Sequence, residues 1–355
     1  MTNPSAPIVL NARFLQQELT GVQRYGREML ARLGDLVETV APDDFVSPVR
    51  GHFWEQFALP SLCRGRLLWS PGNTGPLAMR SQVLTIHDAA TLDHPEWFSR
   101  KFALWYRFLL PRLARRVRKI ITVSEFSRDR LAELCRVSPD CIAVIPNGID
   151  ARFRPVPEEE VTQFRRLNGL ERPYLLNVGS LEPRKNIARL FEAWTQVAWQ
   201  EGELIVAGAS GGVFRERGFG EPPAGVRLWG RIADDDLPVL LSGAAGFVFP
   251  SLYEGFGFPP LEAMACGCPT LVSTAASLPE ICGPAFDPAT GTGSSIYVHP
   301  HDVDAIAIGL RRLIGLADAD RQRLAENGRV HAAQFTWERA AQLTRRVLEG
   351  ALQAG

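Results

Sequence analysis

The chain has 355 residues, of which 46% are hydrophobic and 22% charged, a balance typical of soluble globular proteins. Basic and acidic residues number 39 each, so the net charge of zero gives no support to nucleic-acid binding. A chain this long predicts two domains rather than one hydrophobic core. We find no apolar run of about 18 residues and expect no membrane-spanning helix.

The first half of the chain alternates short apolar runs with helical patterns. The runs predict strands at 7–11, 67–69, 83–86, 120–123 and 143–145, and the helices fall at 26–33, 100–117 and 127–134. Such alternation predicts a doubly wound parallel sheet, whose ligands bind at the carboxyl ends of the strands.

Polar residues stand at two of these strand ends, and a glycine turn lies between the first strand and the helix that follows it. Thr20 and Gly21 open that turn, which could aim backbone amides at a ligand, although a plain strand–helix turn is the more ordinary explanation. His87 and Asp88 follow the run VLTI, and Ser124 follows IITV. A capped turn is the ordinary explanation of a lone His-Asp pair.

The segment 97–119 is basic and aromatic and contains no acidic residue. Its cations and aromatic residues are Arg100, Lys101, Arg107, Arg112, Arg115, Arg116, Arg118, Lys119, Trp97, Phe98, Phe102, Trp105, Tyr106 and Phe108. This composition is typical of a helix that lies on an anionic membrane surface. The alternative is a helix whose aromatic residues pack on the sheet and whose arginines are simply solvated.

A polar, proline-bearing stretch at 150–172 indicates a linker, after which the strand pattern restarts. The second set of strands is predicted at 174–178, 204–207, 226–228, 246–249 and 270–273, and the last helix at 336–352. We therefore predict an N-terminal domain at 1–168, a second Rossmann-like domain at 169–335 and a C-terminal helix at 336–355.

Two cations, Arg184 and Lys185, follow the strand at 174–178 in the run VGSLEPRKN. Cations are what a departing diphosphate needs, because its negative charge grows as the bond to the sugar breaks. Arginine can bind two phosphate oxygens and lysine adds a compact point charge. Two solvated cations are the ordinary alternative, but here they oppose the dipole of the next helix, which indicates an anion that compensates them.

The chain is organised around 249–269, FPSLYEGFGFPPLEAMACGCP. A buried strand, a glycine loop and a helix that starts near Pro259 form an anion site of backbone amides and a positive dipole end. Glu254 and Glu262 frame it at the spacing E-x7-E. Because carboxylates repel phosphate, we expect them to face hydroxyls around it. A nucleotide-sugar is such a ligand.

This run resembles the E-x7-E region of the retaining glycosyltransferases of family 4, which have the GT-B fold. TGVQRY, TIHD, VSEFS, IPNGID, VGSLEPRKN and the LPE at 278–280 resemble the family in the same order. The resemblance implies two Rossmann-like domains that face a central cleft, with the last helix crossing back to the first domain. Gln23 replaces a glycine of the family, and Ser180 an arginine that many members carry.

The resemblance also implies the site residues. The implied catalytic residues are His87, Glu254, Arg184 and Lys185. Those implied to bind the donor are Gly21, Ser180, Arg184, Lys185, Arg231, Glu254, Gly255, Phe256, Gly257, Phe258 and Glu262, and Asp88 is implied to lie near the acceptor. Glu262 is expected on the ribose, and front-face attack is expected, with the leaving phosphate helping to take the acceptor's proton.

The implied function is transfer of a hexose without a metal or other cofactor. Mannose from GDP-mannose is the first expectation, with a glycan or polyprenyl-diphosphate-linked acceptor in surface polysaccharide or lipopolysaccharide synthesis. We expect a cytoplasmic protein, peripheral at the inner face of the membrane. The alternatives are a GT-B-like nucleotide-sugar epimerase and a non-catalytic sugar-nucleotide binding protein.

Three features resemble metal sites and are not interpreted as such. Asp234, Asp235 and Asp236 match a D-x-D motif but precede LPVLLSGA, so we interpret them as an acidic, capping helix start. His299 and His301 have no acid or thiol at useful spacing. The six cysteines show no zinc-type pairing, and reduced thiols are expected.

Overall fold

A computed structural model describes residues 7–17, 19–42, 47–208 and 220–353. The chain forms two compact units. The first comprises the chain up to Pro95, Arg100–Gly148 and the stretch from Phe335 on, and the second comprises Glu96–Ser99 and Ile149–Gln334.

The first unit contains a six-stranded sheet of order β2-β1-β3-β4-β5-β6, in which every neighbouring pair is parallel. Its strands are β1 (Ile8–Asn11), β2 (Val37–Val40), β3 (Leu67–Ser70), β4 (Gln82–Thr85), β5 (Lys119–Thr122) and β6 (Ile142–Val144). Its helices are α1 (Gly21–Leu33), α2 (Pro48–Phe53), a π-helical turn (Trp54–Ala58), α3 (Leu59–Leu62), α4 (Ala90–Asp93), α5 (Arg100–Ala114) and α6 (Glu125–Cys135).

The second unit contains another parallel six-stranded sheet, of order β12-β11-β10-β7-β8-β9. Its strands are β7 (Tyr174–Val178), β8 (Glu203–Ala207), β9 (Val226–Gly230), β10 (Gly246–Phe249), β11 (Thr270–Ser273) and β12 (Ile296–Val298). Its helices are α7 (Glu158–Leu167), α8 (Ile187–Thr195), α9 (Leu237–Ser242), α10 (Phe258–Ala265), α11 (Leu278–Ile281), α12 (Val303–Ile314) and α13 (Asp318–Ala332).

The predicted fold class, two doubly wound parallel sheets, is confirmed. The central strands read as continuous apolar runs because helices cover both faces of a parallel sheet. Strands β2 and β12, which lie at sheet edges, were not predicted from the sequence, and neither were helices α12 and α13 or the helical stretch between Pro48 and Leu62.

The last helix, α14 (Trp337–Gln353), packs against α1 and against β3 and β5 of the first unit. Arg32 Nη2 lies 2.8 Å from Glu338 Oε1, and Arg345 Nη2 lies 2.7 Å from Asp35 Oδ1. At Gly148 a Cβ would lie 2.1 Å from the backbone nitrogen of Trp337, so only glycine permits this close approach of two chain segments.

Candidate active site

Two loops meet at one edge of the second sheet because β7 and β10 are hydrogen-bonded neighbours. Both strands are parallel, so their carboxyl ends lie at the same edge. The Leu252 amide donates to the Arg184 carbonyl at 2.7 Å, and the Ser251 hydroxyl donates to the same oxygen at 2.9 Å. The structure therefore brings together the cationic run and the glutamate loop, which are far apart in sequence.

A buried ionic cluster occupies this junction. Lys185 Nζ lies 2.7 Å from Glu254 Oε1, and Arg184 Nη1 donates to Glu254 Oε2 at 2.9 Å. The Ser251 hydroxyl oxygen also lies 2.6 Å from Glu254 Oε1, within hydrogen-bonding distance. Lys185 and Glu254 are both buried. Each oxygen of the Glu254 carboxylate thus accepts from a different cationic side chain.

Burial and neighbouring charge shift the pKa of the Glu254 carboxyl in opposite directions. Burial alone would raise the pKa of its carboxyl, but the nearby Lys185 and Arg184 outweigh it and lower that pKa below its usual range. Burial and the like charge of Arg184 lower the pKa of Lys185, and Glu254 opposes that shift. At neutral pH Glu254 is therefore the anion that balances the pair of cations.

Glu182 is a second acid of the cluster and was missed by the sequence analysis. Its side chain is buried, its Oε1 lies 3.0 Å from Arg184 Nη2, and the Ser180 hydroxyl donates to the same oxygen. Within the described part of the chain, its other oxygen has no hydrogen-bond partner. The anion expected to compensate the two cations is therefore supplied by the protein itself, from Glu182 and Glu254.

The glycine loop after β10 has the geometry that its sequence predicts. Gly257 has φ +106°, a backbone angle that favours glycine, and a Cβ there would lie 2.9 Å from Leu278 Cδ2, so that leucine side chain would have to shift. The Ser277 hydroxyl donates to the carbonyls of Glu254 and Phe256, at 2.9 and 3.0 Å, and fixes the loop.

Helix α10 begins at Phe258, with prolines in its first turn as expected. Gly255 and Phe256 are buried, and the Phe256 ring packs edge-on against the Phe258 ring at 5.2 Å. Glu262 is buried in the second turn rather than in the first, and its charge adds to burial in raising the pKa of Cys266 to about 12.

In the first unit, His87 lies just after β4 and is buried. Its backbone N–H donates to Asn73 Oδ1 at 2.8 Å, and its ring Nε2 lies 2.9 Å from the Pro71 carbonyl. Because a carbonyl only accepts, Nε2 carries the proton. Burial lowers the pKa of this ring to about 4, so the imidazole is neutral at physiological pH. The Tyr25 ring packs edge-on against it at 4.8 Å.

The other predicted residues of this unit have structural contacts. Asp88 Oδ1 accepts from the Ala90 amide at 3.0 Å at the start of α4. Gly21 is the exposed first residue of α1, and Thr20 and Gln23 form a capping box there. Gln23, which replaces a glycine of the family, thus caps the helix. Gln23 Nε2 also donates to Gln17 Oε1 at 2.7 Å.

Arg231 stands apart from the ionic cluster. It follows β9, the edge strand of the second sheet, and β8 separates β9 from β7. The side chain is exposed.

The features that resemble metal motifs can be compared with the structure. Asp236 occupies the N-cap position of α9, as expected, but its side chain makes no capping hydrogen bond. Among the residues that the structure describes, no group of three or more His, Cys, Asp and Glu side chains could hold a metal ion. All six cysteines are free thiols.

Within the segment 97–119, helix α5 begins at Arg100, as predicted, and ends at Ala114, three residues before the predicted end. Trp97 and Phe98 precede the helix and belong to the second unit, and Phe98 is buried. Trp105 and Tyr106 pack against the core of the first unit, whereas Leu104 and Phe108 are exposed. None of the described helices has both the length and the apolarity needed to span a bilayer.

Two family models match the sequence. Residues 159–331 match the model described as Glycosyl transferases group 1, and residues 66–153 match Glycosyltransferase Family 4. The chain is 32% identical over 273 residues to O-antigen chain mannosyltransferase B of Escherichia coli, which covers 74% of this chain and 68% of that protein. It is 30% identical over 288 residues to MMP alpha-(1->4)-mannosyltransferase of Mycolicibacterium hassiacum, a match that covers 76% of this chain and 65% of that protein.

The fold also matches solved structures. HepE of Anabaena in complex with UDP-glucose superposes with a TM-score of 0.75, covering 97% of this chain and 99% of that one at 17% identity. The GT-B fold class expected from the sequence is confirmed.

Proposed function

Because this chain belongs to the glycosyltransferases of family 4, we propose that it transfers mannose from a nucleotide-diphosphate sugar to a glycan or lipid-linked acceptor. Both relatives described above carry the name mannosyltransferase, and one acts on the O-antigen chain, which supports a role in surface-polysaccharide synthesis. The UDP-glucose complex of HepE supports a nucleotide-sugar donor. GDP-mannose is the donor that we propose.

The observation that carries this proposal is the cluster of the half-buried Arg184 with the buried Lys185 and Glu254, in which Glu254 belongs to the loop that leads into the N-terminus of α10. Two cations on a loop that leads into a helix N-terminus suit a diphosphate. Stabilisation of the leaving diphosphate by positioned charge accelerates the transfer because that charge develops in the transition state.

Donor binding then exchanges partners within the cluster. The diphosphate takes the place of Glu254 on Lys185 and Arg184, and the released carboxylate turns to the hydroxyls of the donor sugar. Glu182 keeps its contact with Arg184 and holds the guanidinium in place during the exchange. The cations are thus held in position before the donor arrives, which lowers the cost of organising them.

The remaining roles that we propose are those implied by the family resemblance. The amides of Gly257 and Phe258 bind the diphosphate, and Glu262 accepts hydrogen bonds from the ribose. The neutral His87 ring contacts the transferred sugar without placing a second positive charge near the anomeric carbon. Transfer occurs with retention by front-face attack, and the leaving phosphate helps to take the acceptor's proton.

We further propose that no metal ion is required. Arg184 and Lys185 supply two positive charges at the diphosphate, which is the contribution that a divalent cation makes in metal-dependent transferases. The cations of α5 favour a cytoplasmic protein that attaches peripherally to the membrane face where a lipid-linked acceptor is used.

A transfer assay tests this function. Purified protein, GDP-mannose carrying a labelled sugar, EDTA and a short mannose-containing acceptor should yield a labelled glycan whose new linkage is α by NMR. Release of free mannose without transfer would identify a hydrolase. Interconversion of the donor sugar would identify an epimerase, and either result would refute the proposal.

A further inference from the structure

One helical segment of the first unit exposes large apolar side chains to solvent. Helix α2, the π-helical turn and α3 run without interruption from Pro48 to Leu62. Glu55 and Leu59 face inward and are buried. Val49, Phe53 and Phe57 recur every four residues and are 66%, 61% and 75% exposed, and the two phenylalanine rings stack at 5.9 Å. Exposed apolar side chains that lie together on a surface, unlike scattered ones, are typical of an interaction site.

The buried side of this segment is tied to the sheet. Glu55 Oε2 accepts from Asn11 Nδ2 at 2.9 Å and from the Thr74 hydroxyl at 3.2 Å, and it lies 3.5 Å from Arg13 Nη2. Gln56 Nε2 donates to the Gly75 carbonyl at 2.8 Å. The exposed phenylalanines are therefore presented by a segment that is anchored at the ends of β1 and β3.

Helix α5 continues the same exposed surface. The His52 ring of α2 packs edge-on against the rings of Trp105 and Tyr106 of α5, at 5.8 and 6.3 Å. Next to these two residues, Leu104 and Phe108 are exposed and also lie four residues apart. We call the exposed side chains of Val49, Phe53, Phe57, Leu104 and Phe108 the apolar face.

The two segments that carry the apolar face, 47–66 and 97–119, expose charge of one sign. Glu55 is the only acid between residues 47 and 66, and it is buried; residues 97–119 contain none. The exposed cations of these two segments are Arg50, Arg64, Arg100, Lys101, Arg107, Arg112, Arg115 and Arg116. A second copy of the same surface would bring like charges together, whereas an anionic surface would neutralise them.

We infer that the apolar face and the cations around it form one docking surface for an anionic lipid bilayer. Phe53 and Phe57 enter the headgroup region while the arginines and lysines contact anionic headgroups, as in other interfacial helices. The inference rests on the proposed function in one respect: docking would give the enzyme access to a lipid-linked acceptor. It extends the membrane contact to the segment from Pro48 to Leu62, which the basic sequence of α5 does not identify.

Vesicle flotation tests the inference. At low salt the wild-type protein should float with vesicles of phosphatidylcholine and phosphatidylglycerol, and high salt should release it. The double variant Phe53→Ser, Phe57→Ser should partition at least about tenfold less, because two phenylalanine side chains leave the apolar region. The double variant Arg100→Ser, Lys101→Ser should partition onto the vesicles roughly 25-fold less at low salt, since each cation contributes about fivefold to membrane binding.

A matched control removes exposed apolar side chains from the second unit. Leu167→Ser with Ile308→Ser changes two similarly exposed positions and should float like the wild type. All variants should keep the wild-type melting temperature, because each changed side chain is exposed. Wild-type protein that stays unbound, equal flotation on pure phosphatidylcholine, or full flotation of the phenylalanine variant would each overturn the inference.

Two further readouts separate this inference from its rivals. If the wild type is a dimer and the phenylalanine variant a monomer, with no flotation by either, the apolar face is a self-association surface instead. Transfer to a soluble acceptor should be equal in the wild type and the phenylalanine variant. Transfer without flotation would refute only the docking surface, and flotation without transfer would refute only the proposed function.

Discussion

The ends of the two sheets carry sites of opposite electrostatic character. In the second unit, Lys185 and Arg184 are paired with buried carboxylates, so the cluster is built on ion pairs. In the first unit, burial keeps His87 neutral, and backbone and amide oxygens hold it. Under the proposed function, the charged cluster binds the donor's diphosphate and the neutral His87 ring contacts the transferred sugar. Loops on two sheets of the same architecture thus present one charged and one neutral site.

Loss of Lys185 should have the largest effect. Lys185→Met should lower turnover by about 1,000-fold, because it removes a charge that stabilises the leaving group. It should also cost roughly 3–5 kcal/mol of stability, since Glu254 stays buried with one cation fewer. Turnover per folded molecule, measured beside the melting temperature, separates the two effects.

The double variant Lys185→Met, Glu254→Gln and the exposed Lys101→Met are the controls. The double variant should regain part of the stability but none of the turnover, and Lys101→Met should behave as the wild type with a soluble acceptor. If the double variant regains turnover as well, the lysine is structural only.

Loss of Glu262 should weaken binding of the nucleotide rather than slow the chemical step. Glu262→Ala should raise the Kd of GDP by about 10- to 100-fold, the usual value of hydrogen bonds to a charged group. Titration calorimetry measures it, and inorganic pyrophosphate, which has no ribose, should bind both proteins equally. An unchanged Kd for GDP would exclude the ribose contact.

The backbone at Gly257 should tolerate no side chain. Gly257→Ala should lower the free energy of unfolding by about 1–3 kcal/mol, because φ is +106° and the new Cβ would meet Leu278. It should also weaken GDP binding about tenfold. Gly169→Ala is the matched control, since φ is also positive there but a Cβ meets nothing within 4 Å. Melting temperature and GDP titration report both effects. Equal losses in both variants would show that only backbone strain matters.

The last prediction concerns pH and the neutral site, where stability changes but donor binding is not expected to. The unfolded chain takes up a proton at His87 below about pH 6.5, whereas the folded ring stays neutral down to about pH 4. Stability should therefore fall as pH falls across that window, by about 3 kcal/mol. An NMR titration of the ring, assigned with His87→Asn, should show no protonation above about pH 5. Titration near pH 6.5 would contradict a buried neutral imidazole.

The sequence predicted most of this architecture because central parallel strands are continuous apolar runs. Strands β7, β10 and β11 have the predicted bounds. Strand β2 was missed because it is short, half-buried and at an edge, so it lacks the apolar run. The helical stretch from Pro48 was missed because Gly51 and Pro60 interrupt its helical pattern.

Within the candidate site, the sequence identified residue types but not their pairing. The spacing between Lys185 and Glu254 carries no sign that they touch, because sheet order brings them together. Glu182 was missed although it stands next to the cations. An acid two residues before Arg184 could have suggested the ion pair that the structure contains.

The most direct test of the central claim, that the paired cations bind the donor's diphosphate, is calorimetric titration of GDP, UDP, dTDP and ADP in EDTA. We predict that GDP binds the wild-type protein, that Lys185→Met, Glu254→Gln binds it at least about tenfold more weakly, and that EDTA has no effect. Binding of a different diphosphate would change the assigned base and leave the claim intact. Equal affinity in the double variant, no binding by any of the four, or binding only with an added divalent cation would contradict it.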